Sequence, residues 1–274
     1  MLTPAEDAQT ALLLEAGTQK PGNVGPTRDF DDTTFHQFLV GAVGARRGFD
    51  AVGSGEKGAE KDVSVGEVFL RSVRGASAHE GGNTQFGAVL LLAPLVVASA
   101  RGGVEDAPEV AKETTPEDAA RFYEAFDHVD VYVGDVDDEY DYDVRDPEAR
   151  ERVVEDGVTL YDVMEESAAR DGVAREWTDG FPRTFHAASK LETVRGDTRE
   201  AVRSAYVDLL REEPDSLVAE RRGTEKAREV TRMARELPPD ELDARLADER
   251  INPGTTADIV AGAVFVALRR GWSV

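Results

Sequence analysis

One helix-start signature recurs along this chain, and it narrows the fold more than any other feature. Thr3-Pro4-Ala5-Glu6 joins a capping box to proline at the first helical position, ahead of Ala8, Leu12 and Leu13. Phe35, Phe38, Leu39, Ala42 and Val43 repeat at helical spacing after Thr33 or Thr34. Ser64-Val65-Gly66-Glu67 reads as another box, opening a helix through Val68, Phe69 and Val73. Thr115-Pro116-Glu117-Asp118 and Asp197-Thr198-Arg199-Glu200 mark two more starts. Asn252-Pro253 opens a last helix with Ile259, Val260, Ala263, Val264, Val266 and Ala267. Only Val129 to Val133 alternates like a strand. The expectation is an all-α fold: a single multi-helix globular domain over residues 1–274, of about ten helices, with functional loops at helix N-termini.

Charge excludes several functions. Acidic residues number 55 against 32 basic, for a net charge of −23, and six of the basic residues are lysine. An acid-rich, lysine-poor surface suits molar salt, where a Debye length of about 3 Å screens self-repulsion. Nucleic acid is not expected as a partner, because binding it requires a basic patch and weakens steeply with salt. The chain has no cysteine, so disulfides and thiolate chemistry are ruled out. His36, His79, His128 and His186 have no metal-ligand spacing. The most apolar run, Phe86 to Ala98, is too short to span a bilayer and contains Pro94. Met1 to Glu15 has no basic n-region, which leads to the expectation of a cytoplasmic protein.

Four segments carry candidate chemistry. Glu15 to Asp32 puts Lys20, Arg28, Asp29, Asp31 and Asp32 on a Gly/Pro-rich loop, a mixture suited to a metal-bound polyphosphate. Glu80-Gly81-Gly82-Asn83-Thr84-Gln85-Phe86-Gly87 precedes the most apolar helix, where capping and an anion site compete as readings. Asn252-Pro253-Gly254-Thr255-Thr256-Ala257-Asp258 places a carboxylate inside the first turn of a mostly apolar helix. That carboxylate calls for a metal or basic partner, or serves the helix dipole. Asp215 to Gly223 ends in Arg221-Arg222, whose forks match phosphate oxygens. Two look-alikes fail: Gly53 to Gly58 lacks the P-loop ending, and Asp135 to Asp146 lacks the glycine and glutamate of a calcium loop.

In order and approximate spacing these segments resemble the triphosphoribosyl-dephospho-CoA synthase family along nearly the whole chain. Its Glu, Lys-Pro-Gly and Asp elements are similar to Glu15, Lys20-Pro21-Gly22 and Asp29. Its Asn-Thr-x-x-Gly resembles Asn83, Thr84 and Gly87, and its Gly-aromatic-Pro resembles Gly180-Phe181-Pro182, with Glu176 and His186 nearby. Asp215, Ser216 and Arg221 look like a further element, and Pro253 to Asp258 like Pro-Gly-x-Ser-Ala-Asp. The chain departs at three places. No aspartate follows in Gly22-Asn23-Val24-Gly25, Gln85-Phe86 stands where the family has His-Lys or His-Arg, and Thr178 replaces a second acid near Glu176.

The resemblance implies an all-helical transferase. A ribose hydroxyl of 3′-dephospho-CoA attacks the ribose C1′ of ATP, and adenine leaves. On that scheme Asp29 and Asp258 are metal-facing or cation-stabilising carboxylates, with Glu15 and Asp32 as further Mg²⁺ candidates. Lys20 and Arg221 hold phosphates, Asn83 and Thr84 orient triphosphate or ribose, and Asp215 is the candidate base. Gly22, Gly87, Gly254 and Thr256 complete the expected nucleotide-binding set. ATP and dephospho-CoA are the expected small-molecule partners, with homodimer formation left open. Two alternatives stand beside this reading: a related Mg²⁺-nucleotide transferase with a different acceptor, and a non-catalytic nucleotide-binding protein.

Overall fold

The computed structural model describes residues 2–30, 33–53, 63–79, 84–134, 141–194 and 196–274. Fifteen α-helices follow one another: α1 Pro4–Ala16, α2 Phe35–Phe49, α3 Val65–Ala76, α4 Phe86–Arg101, α5 Ala107–Lys112, α6 Pro116–Ala125, α7 Ala149–Glu155 and α8 Leu160–Ser167. The series continues with α9 Gly172–Asp179, α10 Pro182–Thr193, α11 Thr198–Glu212, α12 Ser216–Arg222, α13 Thr224–Glu236, α14 Pro239–Asp248 and α15 Gly254–Arg269. Among the described residues there is no β-strand, only an isolated bridge between Gly25 and Arg28. The fold is all-α.

The starts form where the caps dictate. Thr3 accepts from Glu6 N–H while the Glu6 carboxylate takes Thr3 N–H, and Thr115 and Asp118 repeat the exchange at α6. Thr34, not Thr33, caps α2, with Gln37 closing the box. Ser64 accepts from Glu67 N–H, and Asp197 caps α11 through Arg199 and Glu200. The helix count exceeds the expected ten because α5, α7, α8, α9 and α12 have only six to eight residues. Two turns are too few to display a hydrophobic period. Val129 to Val133 alternates yet forms no strand, because no described segment lies alongside to supply the ladder.

The core is built on α4 and α15, which are apolar nearly all round and pack against each other. Leu91, Leu92, Leu95, Val264 and Phe265 are fully buried there. Each large side chain contributes about 1.5–3 kcal/mol on burial, against about 1 kcal/mol for a cap. Packing therefore holds these helices, and the caps fix where they begin. α1, α10 and α11 pack on α15, while α2 pairs with α3 and α3 with α6. Asp7 on α1 meets Arg269 on α15 at 2.7 Å in a partly buried pair. Burial pushes the Asp7 carboxyl up, and its bond to Arg269 opposes the shift. No helix among the described residues is long and apolar enough to cross a membrane.

Candidate active site

The N-termini of α4, α9, α12 and α15 meet around one cavity of about 480 Å³, within the range of small-molecule sites. A hydrogen-bonded chain fastens three of them together. Asp215, the N-cap of α12, accepts from Val218 N–H at 3.0 Å, from Thr256 N–H at 2.7 Å and from the Thr256 hydroxyl at 2.8 Å. Ser216 Oγ lies 2.9 Å from Thr255 Oγ1 and accepts from Gly172 N–H at 2.9 Å, bringing in α9. α4 joins through Asp258, which accepts from Ala88 N–H. A methyl group at Gly87 would stand 2.1 Å from Asp258 Oδ2, so glycine there leaves the carboxylate its present position.

Six carboxylates line this cavity, Asp130, Asp143 and Glu220 among them, and three are linked electrostatically at Asp258: Glu15 from the end of α1, Asp171 from the N-cap of α9 and Asp258 itself from the first turns of α15. Burial pushes the Asp258 carboxyl well above the ordinary carboxylate value, and the charges of Glu15, Asp171 and Asp215 push it further. Asp171 is raised by the protein packed around it although it keeps solvent access, against the pull of hydrogen bonds from Val173 and Ala174 N–H at 2.7 and 2.8 Å. Four helix N-termini face these acids with their positive dipole ends, which makes so dense a set of carboxylates tolerable. Among the described residues, no three acids or histidines form a ready metal cage. Two carboxylates facing a polyphosphate are nevertheless the usual protein share of a Mg²⁺ site.

Aromatic rings and amides form another part of the lining. Phe86, Phe122 and Phe126 form a ring cluster, with centroids 5.1 Å apart for Phe86–Phe126 and 5.3 Å for Phe122–Phe126. Asn23 and Asn252 both line the cavity and are joined by a 2.8 Å bond, which clips the first loop to the start of α15. Tyr206 reinforces that clip by donating its hydroxyl to Pro21 O at 2.9 Å.

The expected site residues divide sharply. Glu15, Thr84, Gly87, Arg221, Gly254 and Asp258 line the cavity together. Arg221 lies with its guanidinium 4.8 Å from the Tyr132 ring centroid and has no carboxylate partner among the described residues. Others sit in the right segments but turn away. Lys20 is fully buried, and its Nζ reaches Glu15 Oε1 at 2.9 Å, Glu15 O at 2.6 Å and Thr18 O at 2.9 Å. All three ammonium protons are used, so Lys20 positions Glu15 and has none left for phosphate. Gly22 has φ +71°, and a Cβ there would meet Ile251 O at 2.5 Å; its N–H goes to Asp243. It shapes the loop. Asp29 is exposed outside the cavity, accepting from Phe35 N–H at 2.6 Å beside the start of α2.

Asp215 and Thr256 are corrected likewise. Both are buried, bonded to each other and absent from the cavity lining, so neither faces a ligand held there. Glu176 caps α10 through Arg183 and Thr184 N–H, and His186 is exposed beside Glu212. Asp32 and Asn83 lie outside the described residues, as do most of the Gly53–Gly58 loop and the acidic stretch 135–140. Asp171 was missed in the sequence, and Asn23, Asn252, Ser216 and Thr255 stand in the quoted segments without an expected role there. Asp171-Gly172 before Val173, Ala174 and Trp177 was a readable N-cap signal.

The Asp215 keystone yields a stability test. Asp215→Ala leaves three buried donors without their acceptor, at about 1–3 kcal/mol each. A loss of about 3 kcal/mol or more is expected in urea unfolding, and an unchanged midpoint would contradict the keystone role.

The all-helical fold thus sets an acidic cavity beside four helix N-termini and an aromatic wall. Residues 1–274 match the family described as CitG, ATP:dephospho-CoA triphosphoribosyl transferase. The chain belongs to that family, whose members are transferases. A crystal structure from Archaeoglobus fulgidus, described as a "putative triphosphoribosyl-dephospho-coA synthase", is similar at 30% identity with a TM-score of 0.71. The match covers 88% of this chain and 100% of that one. No curated protein matches the sequence.

Proposed function

We propose that this chain transfers the triphosphoribosyl group of ATP to 3′-dephospho-CoA and releases adenine, with Glu15, Asp171 and Asp258 at the reacting ribose. Family membership supports the reaction, and the observation that carries the site is the convergence of these three carboxylates in one cavity. As the bond from C1′ to the base nitrogen breaks, its electron pair leaves on adenine and positive charge builds on the ribose. Fixed carboxylates stabilise that charge without reorganising. Glu15, held by Lys20, and Asp258 take this role. The acceptor hydroxyl forms the new C–O bond, and its proton passes to Asp171, which opens to cavity solvent.

Arg221 and Thr84, both on the cavity wall, would hold the triphosphate. Mg²⁺ fits this donor set, because burial and then repulsion from neighbouring acids raise Asp258, and a bound cation offsets both. Asp171 with Asp258 would hold it, and the ion would neutralise charge on the triphosphate. The acid-rich surface suits a salt-rich cytoplasm, so the assay belongs in molar KCl.

The test is chromatographic detection of free adenine from ATP, dephospho-CoA and Mg²⁺. Stoichiometric adenine and triphosphoribosyl-dephospho-CoA are expected. Adenine formed only with another acceptor would replace the acceptor, and ATP binding without adenine under any acceptor would overturn the transferase reading.

A further inference from the structure

The bond that joins Asn23 to Asn252 uses only half of each amide. Asn23 Nδ2 donates to Asn252 Oδ1 at 2.8 Å, which leaves Asn23 Oδ1 as a free acceptor and Asn252 Nδ2 as a free donor. Neither atom has a partner among the described residues, and neither is sealed from solvent. Turning both amides over exchanges the two roles and still leaves one acceptor and one donor. Asn23 is only 5% exposed, and both residues line the cavity, so the free edge opens there. The pair is also held still. Tyr206 donates its buried hydroxyl to Pro21 O at 2.9 Å and lies 3.4 Å from Pro253 O, while Asn23 N–H closes a turn onto Lys20 O at 3.1 Å. A fixed acceptor–donor edge loses little freedom when a ligand meets it.

Such an edge suits a vicinal diol, in which each hydroxyl both donates and accepts. It suits phosphate poorly, because Asn23 Oδ1 would face oxygens that carry no proton. Asn23 follows Glu15 on the first loop, and Asn252 stands just before α15, which carries Asp258. Asp258 lies about 6 Å along the axis from Gly254, one turn after that helix begins. We propose that Asn23 and Asn252 together bind the 2′,3′-diol of the ribose of ATP and set a preference for ribonucleotides over deoxyribonucleotides. The inference rests on the transferase reading for which ribose this is. Dephospho-CoA also brings a diol, but its hydroxyl delivers a proton to Asp171 on α9, whereas the amides share segments with Glu15 and Asp258. Hydrogen bonds to the hydroxyl beside a reacting anomeric carbon strengthen in the transition state, so the same pair serves the reaction as well as the choice of sugar.

The test is calorimetric binding of ATP, 2′-deoxyATP, 3′-deoxyATP and GTP in molar KCl, which requires no turnover. The parent protein is compared with Asn23→Leu and Asn252→Asp. The parent should bind ATP about ten- to a hundredfold more tightly than either deoxy analogue, because each analogue leaves a polar atom of the pair bare. Asn23→Leu removes the acceptor and frees Asn252, so ATP and the deoxy analogues should come within about threefold of one another. Asn252→Asp keeps the bond from Asn23 Nδ2, since a carboxylate oxygen still accepts it, and exchanges the free donor for an acceptor. It should lose the ribose preference too, although the clip remains.

Equal affinity of the parent for ATP and both deoxy analogues would overturn the proposal without any variant. So would a ribose preference that survives both substitutions, since that marks the pair as a clip between loop and helix and nothing more. Substitutions that erase the preference for ATP over GTP and leave the ribose preference intact would place the base there instead, and would also overturn it. A parent that selects the diol through these amides yet releases no adenine would remove the transferase reading and leave this one standing. Adenine release by a parent blind to the diol would do the reverse.

Discussion

Asp258→Asn is expected to lower adenine release by about 10²- to 10⁴-fold while making the ligand-free protein more stable at neutral pH. The two effects have one cause. Asp258 is hemmed in by protein and faces Glu15, Asp171 and Asp215, so its carboxyl holds its proton well above the usual 3.8. Between that ordinary value and the raised folded one, the native state binds more protons than the unfolded chain. Stability is then fully present at low pH and declines as pH rises through the window. Asparagine carries no such charge and removes the decline. Thermal unfolding from pH 4 to pH 8 at fixed molar KCl should show a falling midpoint for the parent and a flatter one for Asp258→Asn. MgATP should raise the parent midpoint and leave the variant's nearly unmoved. An inactive variant less stable than the parent at pH 7 would instead make Asp258 a structural residue.

The class of fold was legible because helix caps are local chemistry. Thr3, Thr34 and Thr115 each announce a helix within four residues, and each does so in the structure. Val129–Val133 misled because alternation is only half of a strand, the other half being a partner that no local pattern can supply. Which segments make the site was also legible: all four chemistry-bearing stretches supply residues to the cavity wall. Which residue of each segment faces the cavity was not. Asp215 turns into the protein and Ser216 lines the cavity, and Thr256 turns in where Thr255 does not. One residue is about 100° around a helix, and near an N-terminus the choice depends on a neighbouring helix distant in sequence. Asp171 was readable as a cap but not as a site residue for a related reason: it reaches the cavity because α9 is tied to Ser216 by a bond spanning 44 residues.

Lys20 provides the sharpest test of that distinction between segment and residue. As a phosphate ligand it would be free to lose its charge with little effect on folding, and Lys20→Met would raise the KM for ATP. The structure places it otherwise, with Nζ buried among Glu15 Oε1, Glu15 O and Thr18 O. Removing one member of a buried pair strands the other, at about 3–5 kcal/mol. Two carbonyls would lose their donor as well. Lys20→Met should therefore lower the thermal midpoint by on the order of 10 °C, with activity falling in step with the folded fraction and with misplacement of Glu15. The double variant Lys20→Met/Glu15→Gln removes both charges and should recover a large part of the lost stability, since a neutral pair leaves no bare ion in the core. Activity should not return with it, because the carboxylate facing the ribose is gone. Stability restored without catalysis would separate the two roles of this pair, Glu15 in the chemistry and Lys20 in holding it. A Lys20→Met protein as stable as the parent would return Lys20 to the phosphates.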